Sequence, residues 1–253
     1  MNHNHLRITS FNLENKVCQI ITLLQKEFPD TVPSPSKSNP LDVLIATMLS
    51  QNTTDKTSYI AFRNLKKQYK NWEKVMNAPL RNIKNAIRVC GLVNQKASSI
   101  KTMLKQMHKK YGKLDLKFIK NLSNEDIYSE LLRYNGVGVK TAACVLAFGL
   151  GRDVLPVDTH VHRVTNRLGL VQTKTPDKSF EQLKDRIPVG KRFLLHTLLI
   201  RFGRKICKAK NPLCSKCVLF DQCEFKEKEN FALLQKNLGK IPVENNFIIL
   251  EHV

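Results

Sequence analysis

Long apolar runs are missing from this chain of 253 residues. None approaches the ~18 residues that a membrane-spanning helix requires. The opening stretch, MNHNHLRITSFNLEN, lacks the apolar centre of a secretory signal. These absences point to a soluble, intracellular protein with no membrane partner. No segment alternates polar and apolar residues with a strand's period of two, so β-sheet is not expected. Internal repeats and low-complexity tracts are missing too. Acidic residues are scarce, 21 against 42 lysines and arginines, which leaves a net charge of +21 spread along the sequence. A field of that sign favours polyanions, nucleic acid before an anionic membrane surface; the plainer alternative is a solubilising surface. The 42% hydrophobic content is enough to build a core in one large or two modest domains.

What is present reads as helix after helix. Residues 14–28 put Val17, Ile20, Ile21, Leu24 and Phe28 on one face. The proline- and serine-rich TVPSPSKSNP cannot continue that helix and reads as a linker. Asn39-Pro40 suits the cap and first turn of LDVLIATMLS, apolar nearly all round and therefore a buried helix. Asp55 is placed to cap KTSYIAFRNLKKQY, and amphipathic runs follow at 80–88 and 94–111. Ser123 with Asp126 resembles a capping box ahead of IYSELLRY. Further helical patterns occupy 159–169, 177–187 and 190–202. The tail from about residue 226 is mixed, and FIIL at 247–250 reads equally as a short strand or a docking segment.

Residues 135–142, NGVGVKTA, hold two glycines and a lysine. A phosphate-binding loop of the nucleotide-hydrolase kind would need more residues between its glycines and a lysine directly after the last one; here Val139 intervenes. A turn between two helices fits better. Gly136 and Gly138 permit backbone conformations closed to other residues, so that with Val137 between them successive amides make a phosphate nest at a helix start. A purely structural turn is the alternative. Eighteen residues beyond Lys140 lies Asp158, in LPVDTHVHRV. Lysine and carboxylate together supply a nucleophilic amine and a group to steer its proton. Alone, Asp158 reads as a helix cap. His160 reads as a polar, DNA-facing residue of the active-site helix and His162 as packing or surface.

Of seven cysteines, Cys18, Cys90 and Cys144 are solitary in apolar helical patterns, where a buried free thiol is expected. The other four, Cys207, Cys214, Cys217 and Cys223, are spaced C-x6-C-x2-C-x5-C. Four thiolates in one compact loop suit a tetrahedral zinc or a cubane iron-sulfur cluster, and the unequal loops fit the wider cubane better. Arg201, Arg204, Lys205, Lys208, Lys210 and Lys216 surround them, a basic shell suited to a DNA backbone.

Taken in order, LDVLIATMLSQNTTD, CGLVNQKA, NGVGVKTA, VDTHVHRVTNRLG and the four-cysteine loop resemble the endonuclease III branch of the helix-hairpin-helix DNA glycosylases, over about 200 residues. The resemblance implies an all-α protein of two helical domains flanking a DNA-binding cleft. Residues 33–152 would form a six-helix domain containing the hairpin. Residues 1–32 with 153–225 would form the iron-sulfur domain, with 226–253 a tail of unknown role. It implies a [4Fe-4S] cluster on Cys207, Cys214, Cys217 and Cys223. It also implies a monomer that binds double-stranded DNA carrying a damaged base or an abasic site. The activity implied is a bifunctional glycosylase and abasic-site lyase acting on oxidised or ring-saturated pyrimidines. Lys140 would attack C1′ and form a Schiff base, assisted by Asp158, and β-elimination would follow. Because the target nucleotide leaves the stack, side chains must fill the gap. By motif position Leu92 is the wedge on one strand, unless it is ordinary helix-end packing, and Gln51 or Asn52 enters from the other side. The hairpin has Tyr134-Asn135 where Leu-Pro is usual; asparagine tolerates the turn geometry. The rival readings are a mismatch glycosylase of the same superfamily and a catalytically silent iron-sulfur DNA-binding protein.

Overall fold

In the computed structural model, residues 3–31, 38–236 and 249–252 are described. Most of the expected linker TVPSPSKSNP and the first half of FIIL lie outside these residues. Every regular element among the described residues is helical, and no strand occurs. The chain clusters into two compact units, Met1–Ser34 with Asp153–Asn246, and Pro35–Arg152 with Phe247–Val253.

The first unit begins with α1 (His3–Glu27), whose Val17, Ile20, Ile21 and Leu24 are buried as their spacing predicts. Cys18 is exposed, contrary to expectation, because it sits one position off that inward face.

The other unit is organised around α2 (Pro40–Ser50), buried at all but its two least apolar positions, Asp42 and Ser50. Asn39 Oδ1 accepts the Leu41 and Asp42 amides, and Pro40 occupies the first turn, where no donor is lost. Against α2 pack α3 (Asp55–Gln68) and, later in the chain, α8 (Val139–Cys144) with the wider turn Val145–Gly149 that continues it. The cap of α3 is Thr54, whose hydroxyl accepts from Thr57 N; Asp55, the expected cap, is instead the first helical residue. Between these come α4 (Trp72–Asn77), α5 (Leu80–Ala86), α6 (Val93–Tyr111) and α7 (Asn124–Leu131). Ser123 caps α7 and also bonds the Asp126 carboxylate, as its spacing predicts. The small residues behind Lys140 have a packing reason: a Cβ on Gly149 would lie 2.9 Å from Pro40 Cα, so only glycine lets this segment meet the start of α2.

The chain then returns to the first unit. Residues Val154–Val157 are buried and lead into α9 (Thr159–Arg167), followed by α10 (Pro176–Leu183), α11 (Arg192–Lys205) and α12 (Lys228–Lys236). Helix α11 is the spine here, packing on both α1 and α9. A Cβ on Gly203 would come within 3.2 Å of His160 Cβ, so this glycine sets the close approach of α11 to α9. The tail divides between the units. Helix α12 lies over the cysteine loop, while Ile249 and Leu250, both buried, form a short helical turn on α2 and α3.

Candidate functional site

Helices α7 and α8 are joined by a tight turn in which Tyr134 N donates to Leu131 O and Val137 N to Tyr134 O. Gly136 has φ +87, and a Cβ there would lie 3.3 Å from Ser99 Cβ, so glycine is required twice over. Gly138 differs from expectation: its φ of −102 and ψ of 178 are extended backbone open to any residue. Its value lies in the missing side chain. It is the N-cap of α8, no side chain caps that helix end, and a Cβ would meet nothing within 4 Å. Such an approach suits a phosphate oxygen. Val137, expected in the nest, points inward at 7% exposure and spends its amide within the turn, so it shapes the turn without donating to a ligand. Lys140 follows, half-buried, as the second residue of α8.

The turn is braced from behind. Tyr134 is buried, and its hydroxyl donates to Glu130 Oε1 at 2.9 Å, while Lys110 of α6 pairs with Glu130 Oε2 at 2.6 Å. Burial alone would raise the Glu130 carboxyl; the bonds from Lys110, Tyr111 and Tyr134 outweigh it and hold its pKa below the ordinary value. Burial and the Glu130 charge push the Tyr134 phenol far up, so it stays a donor. That explains how tyrosine can replace the usual leucine ahead of the turn.

Gln51 and Asn52 are both exposed, yet they are held differently. Gln51 Nε2 donates to Gly136 O at 2.9 Å and ties the end of α2 to the hairpin. Asn52 has φ +51. Leu92, the N-cap of α6, is likewise left-handed (φ 47, ψ 35) and 51% exposed. A leucine in that conformation carries backbone strain, which its surroundings must over-determine.

In the other unit Asp158 does cap α9: its Oδ1 accepts from His160 N at 2.9 Å and Val161 N at 2.8 Å. His160 Nδ1 lies 3.2 Å from an Arg163 nitrogen, and the same guanidinium donates to Gly203 O and Cys207 O. Burial lowers the Arg163 pKa, partly offset by Cys207 and Asp158. His162 turns inward to Ser179 Oγ at 2.7 Å, and burial lowers its pKa, in keeping with packing. Buried His196 donates from Nδ1 to Pro156 O, fixing the segment that leads to Asp158.

Cys207, Cys214, Cys217 and Cys223 are free thiols lining one small cavity of about 20 Å³, with Leu168, Phe202, Ile206 and Phe225 among its apolar walls. Burial pushes the Cys214 thiol up to about 11 and the Cys217 thiol up to about 12, and neighbouring cysteines push the same way. Burial thus favours the neutral thiol, and only a bound cation would make thiolates of these sulfurs. Among the described residues no three ligating side chains converge on a single ion; the thiols surround a space instead. Arg167, unmarked by any motif logic, lies with a guanidinium nitrogen 3.3 Å from Cys207 Sγ, donates to Lys208 O, and stacks on Phe225. Helix α12 closes the other side: Gln235 bonds Ser215 and Pro212, and Lys228 donates to the carbonyls of Phe220 and Cys223. Of the basic shell, Lys210 and Lys216 are exposed and the other four are half-buried. No helix among the described residues is long and apolar enough to cross a membrane.

A helical hairpin with an uncapped glycine entry and a lysine behind it, in one unit with a strained exposed leucine, is the pattern of a DNA-processing helix-hairpin-helix protein. Residues 45–189 match the HhH-GPD superfamily base excision DNA repair protein family, and the chain belongs to it. It is similar to Endonuclease III of Thermotoga maritima, 37% identical over 81% of this chain and 93% of that one. Endonuclease III of Sulfolobus acidocaldarius is 35% identical over 79% and 89%. Among solved structures, a non-covalent Endonuclease III-DNA complex superposes with TM-score 0.73 at 29% identity, covering 86% of this chain and 97% of that one. A trapped Endonuclease III-DNA covalent intermediate gives the same values. The activity class is therefore DNA glycosylase and abasic-site lyase.

Proposed function

We propose that this chain removes oxidised or ring-saturated pyrimidines from double-stranded DNA and nicks the abasic strand through a Schiff base on Lys140. The observation that carries the reading is Lys140 itself, one residue inside the helix that the uncapped Gly138 begins. A phosphate seated at that helix start would hold the target sugar near the amine. The lysine attacks C1′ of the flipped nucleotide and the base departs with its bonding electrons. Asp158, its Oδ1 already shared with the α9 amides, assists proton transfer and stabilises positive charge at the sugar. The C1′–O4′ bond then opens with proton transfer to O4′ to give the Schiff base, and loss of a C2′ proton breaks the C3′–O3′ bond and expels the 3′ phosphate. That a relative's structure is described as a trapped covalent intermediate supports this route. Leu92 and Asn52, both exposed and left-handed, fill the vacated stack, while Gln51 serves as a brace. His160 orients the Arg163 side of α9.

The thiols of Cys207, Cys214, Cys217 and Cys223, which line one cavity, would hold a [4Fe-4S] cluster, which their unequal C-x6-C-x2-C-x5-C spacing suits better than a single tetrahedral ion. When bound, the cluster supplies a rigid cross-link for the loop. Arg167 offers Cys207 Sγ a hydrogen bond, and exposed Lys210 and Lys216 would be left at fixed places for phosphate contact. The protein acts as a monomer inside the cell, in the cytoplasm or nucleoid of a prokaryote. A panel of duplexes carrying thymine glycol, dihydrouracil, uracil, mispaired thymine and an abasic site tests the substrate class. Excision and nicking of the first two and nicking of the last are expected. Excision confined to mispaired thymine would overturn it.

A further inference from the structure

One buried charge in the hairpin unit takes no part in the chemistry above. Lys96, in the first turn of α6, is 4% exposed. Its Nζ donates to Leu49 O and to Cys90 O, each at 2.7 Å, and lies 3.4 Å from Cys90 Sγ. The Cys90 thiol donates to the same Leu49 oxygen at 3.0 Å. All three donors of the ammonium are thereby engaged. Burying an ammonium is costly even when it is paired, and Ile100, Met103 and Leu104 already supply apolar packing to α6. Its worth lies in which atoms it joins.

Leu49 O belongs to the last turn of α2, directly before Ser50, Gln51 and Asn52. Cys90 ends the helical turn Arg88–Cys90, directly before Gly91 and Leu92. The backbone amide of Lys96 donates to Leu92 O at 3.0 Å. One residue therefore holds both loops that carry the gap-filling side chains, by its side chain and by its main chain. Carbonyls at the ends of helical turns carry partial negative charge, which suits a cation. Hydrogen bonds also fix direction, which apolar packing does not. The left-handed Leu92 can persist only where its surroundings over-determine it.

The geometry points to Lys96 as a positioning residue that sets Leu92 and Asn52 for insertion into duplex DNA. The inference rests on the glycosylase reading, because only a base leaving the stack creates a gap to fill. Loss of the brace should slow steps that need base flipping and spare those that do not.

The test uses Lys96→Met in the full chain with two substrates, a duplex containing a paired thymine glycol and a single-stranded oligonucleotide with a preformed abasic site. 2-Aminopurine fluorescence opposite the lesion reports the disturbed stack. Excision from the duplex should fall about tenfold or more and the fluorescence rise should shrink, while lyase activity on the single strand stays within about twofold. An equal fall on both substrates, or no change on either, would overturn the proposal. Inactivity of the unaltered protein on both would remove the glycosylase reading, and this proposal with it. If Lys96→Met does not fold, Cys90→Ala decides: it keeps the charge and removes only the sulfur, so a selective loss of about threefold on the duplex is expected. Equal losses on both substrates, or none, would overturn the proposal here as well.

Discussion

The hairpin unit and the cysteine-loop unit handle buried polar groups in opposite ways. In the first, the protein completes its own accounts of charge: Lys96 finds two carbonyls and a sulfur, and Glu130 finds Lys110 and Tyr134. In the second, four thiols face a shared cavity, and burial raises the pKa of Cys214, Cys217 and Cys223. One unit pairs its buried charges within the polypeptide, and the other gathers thiols that the proposed cluster would hold. The difference predicts that stability of the two can be altered separately.

The largest expected effect is Cys217→Ser or removal of the proposed cluster by a chelator. Hydrogen exchange should rise over 207–223 and α12 while α2–α8 keep their protection. The unit should lose about 3 kcal/mol or more, the chain-entropy value for releasing a closed loop of about 15 residues. Equal deprotection of α2–α8 would break the comparison. Glu130→Gln comes next. Because its folded pKa is depressed, Glu130 contributes stability that is present above its unfolded value near ~4.3 and lost as pH falls through the folded value. The substitution should cost about 1–3 kcal/mol at neutral pH, and denaturant melts should show the gap closing under acid. A gap unchanged by acid would show that the Glu130 charge is not what braces the hairpin. The smallest effect is Asn39→Ala, which removes the cap of α2 and should cost about 1 kcal/mol by thermal denaturation.

Much of the fold was legible because its elements are long and one-sided. The α1 stripe, the all-apolar α2 and the Asn39-Pro40 entry needed only periodicity and cap chemistry. Helix α4 was not legible, since six residues are too few to show a period. Cys18 lay one step off a buried stripe, and Thr54 displaced Asp55 as a cap because either side chain suits the role. At the site, Lys140, Asp158 and the cysteines stood out by type and spacing, whereas Lys96 and Arg167 did not. Both act through a partner far along the chain, Leu49 for Lys96 and Cys207 for Arg167, so no local pattern marks them. For Val137 the motif did not show that its amide would bond Tyr134 O within the turn.

Borohydride trapping on abasic-site DNA, followed by mass mapping of the reduced adduct, tests the central claim most directly. The unaltered protein should cross-link through Lys140 and the Lys140→Gln protein should not. An adduct on any other residue, or undiminished trapping by Lys140→Gln, would contradict it.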